Sequence, residues 1–365
     1  IIEKLPDFIE LSPSDKKKVA STFATAHFNR QQWSMLPNVL EYCSKDSVQK
    51  MIITSLYQIS QDKRNEALQS VEHGFKILAI NARSIFKHDN AALYTLLVKA
   101  QQLHEISEIA EHKENLETWE RRLHNCRQSF EVYHQILSVH LTVFPVEKMM
   151  KDALKMIKLA LRSKDFQLFD SSLHFLFPDK EKWPIEVSVL HAKGIWARGE
   201  QQNALMEIKT ILKSNKEIEN RLKSKIYYIC GQWIISMTQP SRYSTVLKNA
   251  VIFLEQSIKI GKNYFKAWHR WAWACSVIYN NDKSDLKSAF NALNGFLECV
   301  RLRSDSALSE LLQMISLFFS ADLTDEDFNK TAKRIFQLSD SVLLKIIPQL
   351  FTHLQNDQDQ IQSKF

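Results

Sequence analysis

Between Leu116 and Leu137 the chain reads LETWERRLHNCRQSFEVYHQIL. Its large apolar residues, Leu116, Trp119, Leu123, Cys126, Phe130, Tyr133 and Leu137, fall three or four positions apart. That is the spacing of one face of an α-helix, where side chains at i, i+3, i+4 and i+7 line up. Asn115 stands before the run as an N-cap and Pro145 closes it, because proline cannot continue a helix. The spacing predicts one long helix from Leu116 through Leu137.

The same pattern recurs on both sides. Ser14-Asp15 precede Val19, Phe23, Ala26 and His27, and Val146–Arg162 repeats the stripe. Further units are predicted at Ile185–Arg198, Asn203–Leu212, Glu217–Met237, Tyr243–Ile260, Phe265–Tyr279, Leu286–Val300, Leu308–Phe319, Asp325–Leu338 and Val342–Leu354. The breaks between units are short and polar, as at Ser60-Gln61-Asp62, His88-Asp89-Asn90 and Asn280-Asn281-Asp282. Roughly sixteen helices joined this way form a stack of helical hairpins. Ala192, Gly199 and Ala204 put small residues where paired helices meet. Ala160, Phe166, Phe175 and Pro178 follow the order of a tetratricopeptide-type (TPR) pair, although no period of 34 holds. The predicted fold is all-α, an irregular TPR/HEAT-like α-solenoid of stacked antiparallel hairpins. With no low-complexity linker, residues 1–365 are expected to form a single continuous array.

Composition agrees. Six glycines and eight prolines in 365 residues make about 4% of the chain, against an average near 12%. Hairpins of β-strands need glycine for φ > 0, so a β-rich fold is excluded. With 45% hydrophobic and 24% charged residues the chain is not disordered. No apolar run reaches the ~20 residues of a membrane span, so no direct membrane insertion is expected. The chain opens Ile1-Ile2-Glu3 without a signal-like segment and reads as an excerpt of a longer polypeptide. Its five cysteines, Cys43, Cys126, Cys230, Cys275 and Cys299, form no CxxC and fit a reducing compartment.

Catalytic patterns are missing. The six glycines never form GxGxxG or a P-loop, and neither GxSxG nor a kinase-type DFG or HRD occurs. His104, Glu108, Glu111 and His112 share a helix without completing a metal-ligand motif, so the expectation is no metal and no catalytic residue. The prominent polar feature is a basic stripe. Lys148, Lys151, Lys155, Lys158 and Arg162 lie 3, 4, 3 and 4 residues apart on one helix face. Their mutual repulsion calls either for acidic neighbours or for a bound anion. The other concentration is aromatic: Tyr264, Phe265, Trp268, Trp271, Trp273 and Tyr279. This reads as core between hairpins, with base stacking on nucleic acid as the competing reading.

The segment Phe265-Lys266-Ala267-Trp268-His269-Arg270-Trp271-Ala272 resembles the FAT domain of the phosphatidylinositol-3-kinase-related (PIKK) kinases, most closely the TOR type. Trp119 to Cys126, Gly231-Gln232-Trp233 and Ile346-Ile347-Pro348-Gln349-Leu350 resemble that family's other landmarks, in the same order. The resemblance implies a non-catalytic helical scaffold that clamps a serine/threonine kinase domain carried by the same longer chain. It also implies TOR-complex subunits as partners and a role in TOR signalling, and no nucleic-acid partner is expected. The location implied is the cytoplasm, with endomembranes reached through complex partners. It implies a basic pocket for inositol hexakisphosphate as well. Lys155, Arg162, Lys225 and Lys266 match positions of its ligands, and Arg127 and Arg198 neighbour others. Gln128, Ala197 and Ile229 depart from the family's basic residues. An unrelated TPR-like adaptor that binds peptides is the alternative.

Overall fold

The computed structural model describes residues 11–29, 32–85, 90–214, 217–237, 243–303, 306–349 and 351. Every regular element among them is helical, and the fold is all-α. Two compact units divide the chain, Ile1–Trp183 and Pro184–Phe365.

The first unit runs α1 (Pro13–Asn29), α2 (Leu36–Leu40), α3 (Val48–Ser60), α4 (Arg64–Ile85), α5 (Asn90–Ala110), α6 (Leu116–Asn125), α7 (Phe130–His140), α8 (Met150–Arg162) and α9 (Phe166–Leu176). The second runs α10 (Ile185–Ala197), α11 (Gln201–Lys213), α12 (Asn220–Ser236), α13 (Tyr243–Ile260), α14 (Phe265–Asn281), α15 (Leu286–Leu302), α16 (Leu308–Ser320), α17 (Asp325–Phe336) and α18 (Asp340–Leu343). Helices adjacent in sequence pack as hairpins, α3 on α4, α10 on α11, α12 on α13 and α14 on α15. Each unit is thus a stack of the TPR/HEAT-like solenoid type.

Local chemistry sets the boundaries. The side chains of Ser47, Asn115, Asp165, Asp285 and Thr324 each accept the backbone N–H three residues on. That satisfies a donor which the first turn leaves unpaired. With so few glycines, three helix C-termini turn on non-glycine residues in the left-handed region: Asp62 (φ 58°), His112 (φ 56°) and Lys164 (φ 60°). At the first two, Lys63 N–H bonds to Gln58 C=O and Lys113 N–H to Glu108 C=O, at 2.8 Å each. These are Schellman-type closures built without glycine.

The predicted helix from Leu116 to Leu137 is in fact two helices. Cys126 (ψ 161°) and Ser129 (φ −120°, ψ 155°) are extended, and Ser129 Oγ accepts from Val132 N–H to start α7. Gln128 Nε2 donates to the carbonyls of His124 (3.3 Å) and Cys126 (2.8 Å) and closes α6. The apolar period survives because both pieces face one core, with Trp119, Leu123, Tyr133 and Leu137 fully buried. Toward the C-terminus, the predicted Val342–Leu354 helix is α18, a 3₁₀ turn at Leu344–Ile346 and further helical residues at 347–349 and 351. Leu350 of the Ile-Pro-Gln-Leu landmark, residues 352–354 and the break at residues 88 and 89 lie outside the described residues.

Candidate functional site

Four of the stripe's five cations, Lys151, Lys155, Lys158 and Arg162, lie on α8, and Lys148 lies in the turn before it. Met149, Leu154 and Ile157 are buried behind them as the spacing requires. Lys151, Lys158 and Arg162 are exposed. Lys155 is half-buried, its ammonium 4.9 Å from the centre of the Tyr133 ring, a cation–π geometry that holds the charge in place.

Beneath the stripe lies an acid that the sequence reading passed over. Asp152 is buried, with Oδ1 3.2 Å from His124 Nε2, and neither oxygen receives a well-formed hydrogen bond. Burial pushes its carboxyl above the usual range. His124, His140 and Lys155 oppose that shift and Glu120 adds to it. Close by, His140 Nε2 and Glu105 Oε2 stand 2.9 Å apart and both residues are fully buried. Helices α5, α7 and α8 therefore share a buried polar layer. Of the stripe's cations, Lys155 lies within electrostatic reach of Asp152.

In the second unit the basic residues come together by a close helix approach. A Cβ on Gly261 would stand 2.3 Å from Ser224 Oγ, so only glycine lets the end of α13 sit on α12 there. Ser224 and Ser257 seal the contact, each hydroxyl donating to the other's carbonyl at 2.9 and 2.7 Å. The chain leaving Gly261 then passes Lys225. A cleft of about 660 Å³ is lined by Arg221, Lys225, Lys262, Asn263 and Tyr264. The loop is held from the other side, where Trp268 Nε1 donates to Lys262 C=O at 2.8 Å. Burial, with Tyr228 adding to it, pushes Tyr264 up to about 12, so its hydroxyl stays a proton donor. Lys266 follows in the first turn of α14, whose N-terminal N–H groups favour an anion.

The six sequence-predicted site residues fall on both units. Lys155, Arg162 and Arg127 belong to the first, and Lys225, Lys266 and Arg198 to the second. Arg127 is an exposed turn residue whose backbone N–H donates to Tyr94 Oη, and Arg198 caps α10. Of the departing positions, Ile229 is buried in α12, and Gln128 is spent on closing α6. Arg221 and Lys262 were missed by the sequence reading. Arg221 lies four residues before Lys225, on the same helical face, which was a legible signal. The placement of Lys262 depends on the Gly261–Ser224 contact, which was not.

The aromatic run is core at its centre. Trp271 is 7% exposed and Trp268 packs on it edge to face at 5.7 Å. Glu108, one of the possible metal ligands, is engaged otherwise. Arg122 donates to both its oxygens at 2.7 and 2.9 Å and Trp119 Nε1 to one at 2.7 Å. No group of three or more His, Cys, Asp or Glu with metal-site geometry occurs among the described residues. Nor does any helix there have the length and apolarity to cross a membrane.

Stacked hairpins carrying basic faces define a helical-repeat protein. The FAT domain pattern matches residues 20–316, and the chain belongs to the FAT domain family. Its curated relatives include serine/threonine-protein kinase tor1 of Schizosaccharomyces pombe, 19% identical over 400 residues and covering 95% of this chain. Another is serine/threonine-protein kinase mTor of Drosophila melanogaster, 20% identical over 418 residues and covering 97%. The chain spans 17% of the length of each. Among solved structures, the C-terminal part of a TPR repeat-containing protein from Cytophaga hutchinsonii overlaps 80% of this chain and 99% of its own, with 12% identity and a TM-score of 0.34. So low a score carries no argument. Family membership sets aside the unrelated adaptor.

Proposed function

We propose that this chain is the non-catalytic regulatory scaffold of a TOR-like serine/threonine kinase, clamping a kinase domain of the same longer polypeptide and offering surfaces to TOR-complex subunits. The observation that carries this is colinearity: relatives that are TOR kinases match 94–97% of this chain while it spans 17% of their length. The interior supports the reading. The tryptophans of the Lys-Ala-Trp-His-x-Trp-Ala run pack into the core of the second unit, which suits a brace better than a peptide groove. Sequencing the gene downstream of Phe365 tests it. A catalytic loop and a metal-binding Asp motif of the kinase type are expected there, and their absence refutes the proposal. The cytoplasm, with endomembranes reached through partners, is the location that accompanies this role.

The basic residues take an inositol polyphosphate in the same reading, with inositol hexakisphosphate as the ligand. Arg221, Lys225 and Lys262 around one cleft, and the Lys155–Arg162 face of α8, are surfaces on which charge-assisted hydrogen bonds to phosphate offset the repulsion among cations. Ligand bound only to the folded state raises its stability, so inositol hexakisphosphate is expected to raise the melting temperature. Lys225→Glu and Lys155→Glu, made separately and together, report the share of each unit. No shift at saturating ligand refutes the site.

A further inference from the structure

The first unit holds a cavity of about 280 Å³ between α7, α8 and α9, with Ala26 of α1 at its rim. Phe130, Met156, Leu168 and Phe175 make its walls apolar. Ala26 and Ser171 are exposed and form the mouth, whereas Met156 is fully buried at the back. An apolar cavity of about 150 Å³ already accepts benzene, so this one has room for a substituted ring.

Its polar equipment is specific. His134 stacks on Phe130 with ring centres 5.5 Å apart and planes 22° apart. The described residues give its ring nitrogens no hydrogen bond, and the side chain is half-buried, at the edge between cavity and solvent. Burial alone pushes its pKa down, so at neutral pH the imidazole is uncharged, with one donor and one acceptor nitrogen. Both serine hydroxyls are engaged with the backbone of α9. Ser171 Oγ donates to Gln167 and Leu168 carbonyls at 2.9 and 3.1 Å, and Ser172 Oγ to Leu168 at 2.7 Å. The cavity thus presents aromatic walls, acceptor oxygens and one neutral imidazole, with no cation among its described lining residues. An anionic ligand would lose its hydration there without a countercharge. A neutral ring bearing an O–H fits, because its hydroxyl can donate to the free imidazole nitrogen while the ring packs between Phe130 and Phe175.

We infer that this cavity is a binding site for a small neutral aromatic compound carrying a hydroxyl group, oriented by His134. Phenol is the probe, with toluene and benzoate for comparison, on the full chain. Saturation-transfer NMR reads the ligand, and ¹H–¹⁵N spectra of the histidine side chains read His134. Phenol is expected to bind about threefold to tenfold more tightly than toluene, the effect of one buried hydrogen bond, and to shift the His134 nitrogens. Benzoate is expected not to bind. His134→Phe keeps the stacked ring and brings phenol down to the level of toluene, leaving toluene unchanged. Ser171→Trp, at the exposed mouth, abolishes binding of both. Circular dichroism of each variant confirms the fold. The inference is overturned if phenol has no affinity and the cavity holds water only, if phenol and toluene bind alike, or if phenol binding survives Ser171→Trp.

Discussion

Replacing Asp152 by Asn is expected to make the protein more stable at neutral pH. The carboxylate is 1% exposed and its nearest polar neighbour, His124, is itself about half exposed. A buried polar group without good hydrogen bonds costs at least about 1–3 kcal/mol, and a contact with a half-exposed side chain returns at most ~1 kcal/mol. The net cost of the native aspartate at pH 7 is therefore about 1–2 kcal/mol, which Asn removes while keeping the shape. For a unit of this size that corresponds to a rise in melting temperature of roughly 2–8 °C. The pH dependence gives the mechanism its signature. The folded-state pKa of Asp152 lies above its ordinary value near 3.8, so in that window the native state holds a proton that the unfolded chain has released. Stability from neutral Asp152 is fully present below the unfolded value and is lost as pH rises through the folded one. Denaturant unfolding of wild type and variant at a series of pH values reads it, and the difference cancels the titrations that they share. The advantage of Asp152→Asn should shrink steadily as pH falls and vanish near pH 4. A variant less stable at pH 7, or a difference that does not change with pH, refutes the reasoning.

Two further outcomes follow from neighbouring contacts. Glu108→Gln is expected to cost about 2–3 kcal/mol, because it breaks the two-bond pairing with Arg122 and gives the Trp119 Nε1–H donor a weaker, uncharged acceptor. Arg122 holds the Glu108 carboxyl below its ordinary 4.5, so the stability it gives is present above that value and disappears as pH falls through the folded one. Unfolding curves at pH 7 and pH 3 check both the size and the sign. Gly261→Ala drives a Cβ to 2.3 Å from Ser224 Oγ. It should cost on the order of 1–3 kcal/mol and weaken inositol hexakisphosphate by moving Lys262 away from Lys225, as measured by calorimetry of variant and wild type.

The family landmarks in this sequence coincide with packing anchors. Trp119 and Arg122 both end on Glu108, and Trp233 of Gly-Gln-Trp stacks on Trp196 at 4.4 Å with planes 4° apart. Gly231 of the same landmark lies so close to α13 that a Cβ would stand 2.6 Å from Leu254. Trp268 of the α14 run ties down the loop that carries Lys262. Residues that identify the family on paper are the ones that fix how one hairpin sits on the next.

Helix content, the identity of most helices and the basic face of α8 were legible in the chain. They depend on periodicity and capping, which act over a few residues; Tyr243–Ile260 is the helix that its spacing outlines. The break at Cys126–Ser129 was hidden because both pieces feed one core and keep a common apolar period. Tertiary structure alone decided that Asp152 is buried under the lysines, that Arg221 and Lys262 join Lys225, and that His134 faces a cavity. Each depends on how closely two helices approach. That distance is set by side chains far apart in sequence, such as Ser224, Ser257 and Gly261, whose effect exists only once the hairpins are stacked.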